Sequence, residues 1–163
     1  MPVADKSKWS PKTFRSIDEL SAEIDRIEAA HQAGMLSTAG GWTPGQCMSH
    51  TAVFIKSSYD GFELGAPWIL RAVCSLLLKP IATKPNSQMK PGIKLPAKAK
   101  ELLPEDAVSV EEGIAQMRTQ IARIKSGEQM TQVSPLLGKM SHQQWVNLHL
   151  NHCRMHYGFF SYE

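Results

Sequence analysis

Three of the six histidines lie close together near the end of the chain, at positions 149, 152 and 156. On an α-helix, at about 100° per residue, they share one face with Trp145 and Phe159 and therefore point into a core. Buried neutral imidazoles need partners for both ring nitrogens, and three of them on one apolar face cannot easily satisfy one another. A metal ion solves this problem, because His152 and His156, four residues apart, can direct nitrogens at a common point.

A third ligand is predicted on an earlier helix. His50 lies beside Cys47, Thr51 and Phe54, on what the spacing indicates is an inward face. Three protein ligands leave coordination positions open for water or a substrate, an arrangement typical of reactive sites more than of purely structural ones. His149 is then spare, as a hydrogen-bond partner of a ligand, a proton carrier or a replacement ligand. The alternative is that all these histidines are packed core residues that bind no metal.

The remaining histidines and the cysteines are not expected in the site. His31 and His142 lie near predicted helix ends, where solvated or capping roles are the common ones. Cys47, Cys74 and Cys153 are far apart and form no CxxC pair, so they indicate neither a disulfide framework nor a zinc knuckle. Together with a polar N-terminus that lacks the apolar core of a signal peptide, they favour a cytoplasmic location.

Four capping signals predict four long amphipathic helices. In each, a Ser or Thr is followed three residues later by Glu or Gln, a pair that satisfies backbone N–H groups reciprocally at a helix start. The pairs are Ser16 with Glu19, Thr43 with Gln46, Ser109 with Glu112 and Ser141 with Gln144. Apolar residues spaced three or four apart extend the helices over about 16–36, 43–59, 109–127 and from 141 almost to the C-terminus.

The region between the second and third of these helices differs in composition. Residues 66–80 are strongly apolar and predict an extra short helix, which would pack across one end of the molecule or form a subunit contact. Five prolines between 80 and 107 predict an extended crossover loop. No stretch alternates for long enough to predict a sheet. The predicted fold is therefore all-α, a four-helix bundle with a long crossover connection and an extra short helix, forming a single domain over 1–163.

The bulk composition excludes several classes of partner. The chain has 163 residues, of which 42% are hydrophobic and 20% charged, as in a globular protein of one domain. Its formal net charge is only +3, and its lysines are dispersed, so we expect no nucleic-acid partner. We also expect no membrane partner, because the apolar segment 66–78 is interrupted by Arg71 and is too short to cross about 30 Å of hydrocarbon.

Two segments resemble the DinB-like superfamily, bacterial four-helix bundles that include the YfiT-like metal-dependent hydrolases. Residues 41–50 resemble its tryptophan, helix-opening turn and Gly-Gln leading to a metal-binding histidine. Residues 134–156 resemble its Pro-x-x-Gly turn, tryptophan and H-x-x-x-H. Residues 59–62 and 16–20 strengthen the match to a branch known only as a domain of unknown function. The branch usually has His-Pro and a later Phe in the turn, where this chain has Ser134 and Leu137.

The resemblance implies metal binding by His50, His152 and His156, with zinc, nickel, iron or manganese as the ion, and it implies a homodimer. Several members of the superfamily use the ion to activate a low-molecular-weight thiol for transfer or isomerisation. Three functions stay open at this point. The first is a metal-dependent thiol transferase or hydrolase in which His149 carries a proton, as a catalytic residue. The second is a non-catalytic protein that binds a metal or small ligand, and the third is a structural or interaction bundle.

Overall fold

The computed structural model describes residues 4–63, 65–92 and 102–162, and this part of the chain is mostly helical, as the sequence predicts. Its α-helices are α1 (Ile17–Gln32), α2 (Pro44–Asp60), α3 (Trp68–Leu77), α4 (Lys79–Ala82), α5 (Val110–Lys125) and α6 (His142–Tyr157). A 3₁₀ turn covers Lys6–Lys8, and two short strands are β1 (Ser37–Thr38) and β2 (Phe160–Ser161).

The four long helices begin where the capping signals place them. The side chains of Ser16, Thr43, Ser109 and Ser141 each accept a hydrogen bond from the backbone N–H three residues later. In α2, α5 and α6, the side chain of the Gln or Glu at that later position also accepts a hydrogen bond from the backbone N–H of the capping residue. Local hydrogen bonds within three residues thus fix the starts of the helices that carry the predicted ligands.

The first helix ends earlier than the predicted residue 36. Gly34 adopts a φ of 71°, and the N–H groups of Met35 and Leu36 both donate to the carbonyl of Ala30. This left-handed glycine turns the chain back at the end of α1, the common way in which helices terminate. The following residues then form β1, which pairs antiparallel with β2 near the C-terminus. A two-residue strand is too short for an alternating pattern, so the sequence did not predict it.

The second helix, α2, packs against both α5 and α6, while α1 packs against α5. Two glycines permit a close approach of α2 and α5, since a Cβ on Gly113 would lie only 2.8 Å from the carbonyl oxygen of Gly45. The core between the helices is formed by fully buried apolar side chains, which include Leu20, Ile24, Ile27, Met48, Ile55, Met117, Trp145 and Tyr157. This packing places α2 and α6, which carry the predicted ligands, side by side.

The first part of the predicted crossover loop is held against α6 by a row of polar side chains. Asn147 donates to the carbonyl of Thr83 at 3.0 Å, and Asn151 donates to that of Ala82 at 2.8 Å. Arg154 donates to the side chain of Asn86 at 2.9 Å. The loop also contains the short helix α4, and its residues 93–101 lie outside the described residues. No helix in the described part of the chain combines the length and the apolar character needed to span a bilayer.

Candidate metal centre

Three histidines from two neighbouring helices meet at one point. His50 lies in the middle of α2, and His152 and His156 lie one turn apart on α6. The Nε2 atom of His152 is 3.4 Å from that of His50 and 3.0 Å from that of His156. Nitrogens bound about 2.0–2.1 Å from one ion lie about 2.8–3.4 Å apart, depending on the angle between the ligands. Both distances therefore fit ligands of a common ion.

The orientation of the His50 ring is fixed by the returning end of the crossover. Its Nδ1 lies 2.5 Å from the backbone carbonyl oxygen of Leu102. A carbonyl only accepts hydrogen bonds, so Nδ1 must carry the proton and Nε2 must present its lone pair to the other histidines. A carbonyl bonded to the far nitrogen is the usual device that sets the tautomer of a metal-binding histidine.

One ring nitrogen of His152 stays without a hydrogen-bond partner in the part of the chain that the structure describes. Among the described residues, its Nδ1 is buried and has no hydrogen-bond partner. Whichever ring nitrogen carries the proton, this buried atom is left unpaired, which is uncommon in native proteins and calls for an explanation. Lone pairs of neighbouring Nε2 atoms also converge, and a cation at that point would stabilise them.

Burial keeps the three imidazole rings in the neutral form that can bind a metal ion. It lowers the pKa of His50, although the hydrogen bond to Leu102 acts in the opposite direction. It lowers the pKa values of His152 and His156 further, and positive charge on neighbouring histidines adds to the effect. The rings are therefore neutral near pH 7, and only neutral imidazoles can ligate a metal.

Two aromatic side chains border the group. Trp42 stacks on His156 with ring centroids 5.6 Å apart, and its centroid lies 4.8 Å from that of His50. Phe54 meets His152 edge to face at 5.1 Å. Since His152 and His156 stay partly exposed, the group is shielded by these rings without being sealed. A cleft of about 590 Å³ lies against Trp42, and the three histidines do not line it.

His149 lies apart from the three histidines. Its Nε2 is 3.2 Å from the hydroxyl of Ser58, its Nδ1 has no partner among the described residues, and its ring stacks on Trp145. The ring of Phe54 contacts both His149 and His152. Complete burial lowers the pKa of His149 to about 3, with a smaller contribution from His142. Within the part of the chain that the structure describes, only His50, His152 and His156 bring ligand atoms together, within 4.8 Å of one another.

The other predicted bystanders lie outside the group. The Nε2 of His31 lies within hydrogen-bond distance of a carboxylate oxygen of Glu111, at 2.7 Å, and His142 accepts a hydrogen bond from the N–H of Met130. Cys47 and Cys153 are buried, and burial raises the pKa of each thiol to about 12. They are therefore protonated near pH 7, when they are neither nucleophiles nor thiolate ligands.

Sequence reasoning missed three features that shape the site. In the sequence, Trp42 is part of a motif and Phe54 is a neighbour of His50 on an inward face, and neither position indicates a ring at the metal centre. The Leu102 carbonyl had no sequence signal, because any backbone carbonyl in the crossover could have met His50. The turn before α6 closes without a histidine, since the hydroxyl of Ser134 accepts a hydrogen bond from the N–H of Leu137.

Residues 10–163 match a family, DUF1569, that is described as a protein of unknown function. The match spans most of the chain, which therefore belongs to this family, and it confirms the predicted assignment to a domain of unknown function. No curated protein and no solved structure matches the chain.

Proposed function

We propose that the protein binds one divalent transition-metal ion through His50, His152 and His156. The observation that carries the proposal is the convergence of three neutral imidazoles, two of whose Nε2 contacts measure 3.0 and 3.4 Å. The His50 lone pair is directed into this group by the carbonyl of Leu102. Zinc, nickel, iron and manganese all remain candidates, because imidazole suits several ions and metal availability decides among them.

The donor set also favours a negatively charged small ligand at the same centre. All three predicted ligands are neutral, and no carboxylate or thiolate joins them among the described residues. The +2 charge of an ion would thus stay uncompensated in a partly buried site, which favours an anion such as a thiolate or hydroxide. A bound ion would supply a Lewis acid that lowers the pKa of a thiol or a water in an open position. We therefore propose a metal-dependent thiol transferase or hydrolase.

The protein's own residues would orient and shield the reacting ligand. The carbonyl of Leu102 holds His50 in one tautomer, and Trp42 and Phe54 cover two sides of the histidine group with apolar rings. Excluding water in this way strengthens electrostatic interactions within the site. The proton-carrier role of His149 stays a prediction, and the complete burial of the ring and its pKa of about 3 argue against it. The ring is oriented by the hydroxyl of Ser58, 3.2 Å from its Nε2, and by stacking on Trp145.

The arrangement of helices supports a DinB-like four-helix bundle as the fold behind this site. The four long helices share one core, and the long connection between α2 and α5 occupies the position of the crossover. In such bundles, metal sites are formed in the core by side chains on facing helices. The His50 on α2 and the histidine pair on α6 fit that pattern.

Metal analysis of protein purified without a histidine tag tests the first step. We expect close to one transition-metal ion per chain after reconstitution and dialysis, and almost none in the His152→Ala variant. His31→Ala is the matched control, because it removes a histidine that pairs with Glu111 at the surface. A wild-type protein that retains no metal, or a His152→Ala variant that retains as much as the control, would contradict the proposal.

Cobalt substitution tests whether an open position accepts a thiol. The absorption spectrum of the Co²⁺ protein should gain a sulfur-to-cobalt charge-transfer band when a small thiol such as cysteine is added. O-methylserine, which has no thiol, should leave the spectrum unchanged. If thiols leave the cobalt spectrum unchanged as well, the thiol-dependent activity is wrong, while metal binding itself is unaffected by this result.

A further inference from the structure

Helix α3 and the residues after it, as far as Ile81 in α4, expose an unusually large apolar surface. Eight large apolar side chains there are between 45% and 76% exposed. We call them the α3 face: Trp68, Ile69, Leu70, Val73, Leu76, Leu77, Leu78 and Ile81. The helix is attached through its opposite side, where Cys74 is buried and Ser75 lies near Gly138. Arg71 is the one charged residue within α3.

The area of this surface matches what a stable dimer requires. A large side chain exposes about 150–200 Å² when fully accessible, so the observed exposures give roughly 700–900 Å² of apolar surface. The largest apolar patch of an ordinary monomer is about 300–600 Å². A standard interface covers about 800 Å² on each partner. One α3 face therefore offers enough surface for one side of such an interface.

The order of residues on the helix favours a second copy of the same chain. Trp68, Ala72 and Leu76 are four residues apart and form one ridge along the exposed side of α3. The small Ala72 lies at the middle of the ridge, between two large side chains, so two helices could approach closely there. In an antiparallel pair related by a two-fold axis near Ala72, each Trp68 would pack on the partner's Leu76. Arg71 lies about 100° away from the ridge and would stay at the rim.

A membrane surface fits this helix less well. Helices that lie in the interface of a bilayer carry a strongly charged polar side, rich in Lys and Arg, next to their apolar side. In α3 the less exposed side is formed by Cys74 and Ser75. Arg71 is the one cation of the whole helix. The exposed surface is nearly uncharged, as is typical of the buried centre of a homodimer interface.

We infer that the α3 face binds the α3 face of a second copy of this chain, forming an antiparallel two-fold dimer. Sedimentation of this 163-residue chain at micromolar concentration should then give twice the chain mass of 18.1 kDa. Leu76→Glu should raise the dissociation constant of the dimer by roughly a hundredfold. Because of the two-fold symmetry, the substitution removes two leucines from the interface and adds two carboxylates to it. Met35→Glu is the matched control, because Met35 is a 47% exposed apolar residue outside the α3 face.

Cross-linking gives a second readout that does not depend on destabilising the protein. Ala72→Cys should form a covalent dimer when diamide is added as the oxidant, because the two-fold axis brings residue 72 near its own copy. Met35→Cys should remain monomeric on a denaturing gel. A wild-type protein that sediments at 18.1 kDa overturns the inference, as does a Leu76→Glu variant that dimerises like the control. A monomer that binds anionic phospholipid vesicles and loses this binding in Leu76→Glu would assign the face to a membrane instead.

Discussion

Replacing His149 with glutamine should make the protein less sensitive to mild acid. The wild-type ring is fully buried, and burial lowers its pKa from 6.5 to about 3. In the unfolded chain the ring is hydrated, and its pKa returns to about 6.5. Between these two values the unfolded chain binds a proton that the folded protein does not. The contribution of His149 to the free energy of unfolding therefore falls as the pH drops below about 6.5.

The size of this effect follows from the two pKa values. Relative to about pH 8, protonation of His149 in the unfolded chain lowers the free energy of unfolding by about 1.4 kcal/mol at about pH 5.5. At about pH 5 the reduction is about 2 kcal/mol. Both figures depend on the pKa in the unfolded chain alone, provided that the pKa in the folded protein lies well below 5. Glutamine binds no proton in this range and should abolish the difference.

Urea unfolding at about pH 8 and about pH 5.5, with a chelator present, measures the effect. The comparison uses wild type, His149→Gln and His149→Phe. The two variants differ in packing and in the bond to Ser58, so their stabilities at high pH should differ. Between about pH 8 and about pH 5.5, both variants should nevertheless lose the same amount of free energy of unfolding. That loss should be about 1.4 kcal/mol smaller than the loss in wild type. An equal loss in all three proteins would mean that the His149 ring titrates in the folded state as it does in water, which would refute its burial.

Three further predictions concern packing, a buried hydrogen bond and the wall of the site. Gly113→Ala should lower the free energy of unfolding by about 1–2 kcal/mol, because the added Cβ meets the backbone of Gly45. This cost exceeds the gain from the better helix propensity of alanine. A higher urea midpoint for the variant than for wild type would contradict the close approach of α2 and α5. Tyr157→Phe should cost about 1 kcal/mol in the same assay, since it removes the buried bond of 2.8 Å to Thr51, and an unchanged midpoint would contradict it. Adding Cu²⁺ should quench tryptophan fluorescence mainly through Trp42, which stacks on a predicted ligand, so quenching that persists in Trp42→Phe would place the ion elsewhere.

Much of the helical framework could be predicted because its signals are local. The hydrogen bond that the backbone N–H of Gln144 donates to the hydroxyl of Ser141 forms within a single turn and depends on no distant residue. The same holds for the spacing of His152 and His156, which a helix places on one face. The end of α1 was predicted less well, because Gly34 terminates the helix while Met35 and Leu36 still continue its apolar pattern.

The sequence by itself determined that the chain is helical and that His50, His152 and His156 point inward from two helices. Only the tertiary structure decided that these three meet, that His149 turns to Ser58, and that the carbonyl of Leu102 fixes the His50 ring across 52 residues of chain. The same holds for α3, because the sequence predicts a short helix there without deciding which of its apolar residues lie at the surface. The physical reason is the distance along the chain over which each interaction acts. Helix signals act over three or four residues, whereas contacts between side chains of different helices depend on helix packing and loop closure, which no short pattern encodes.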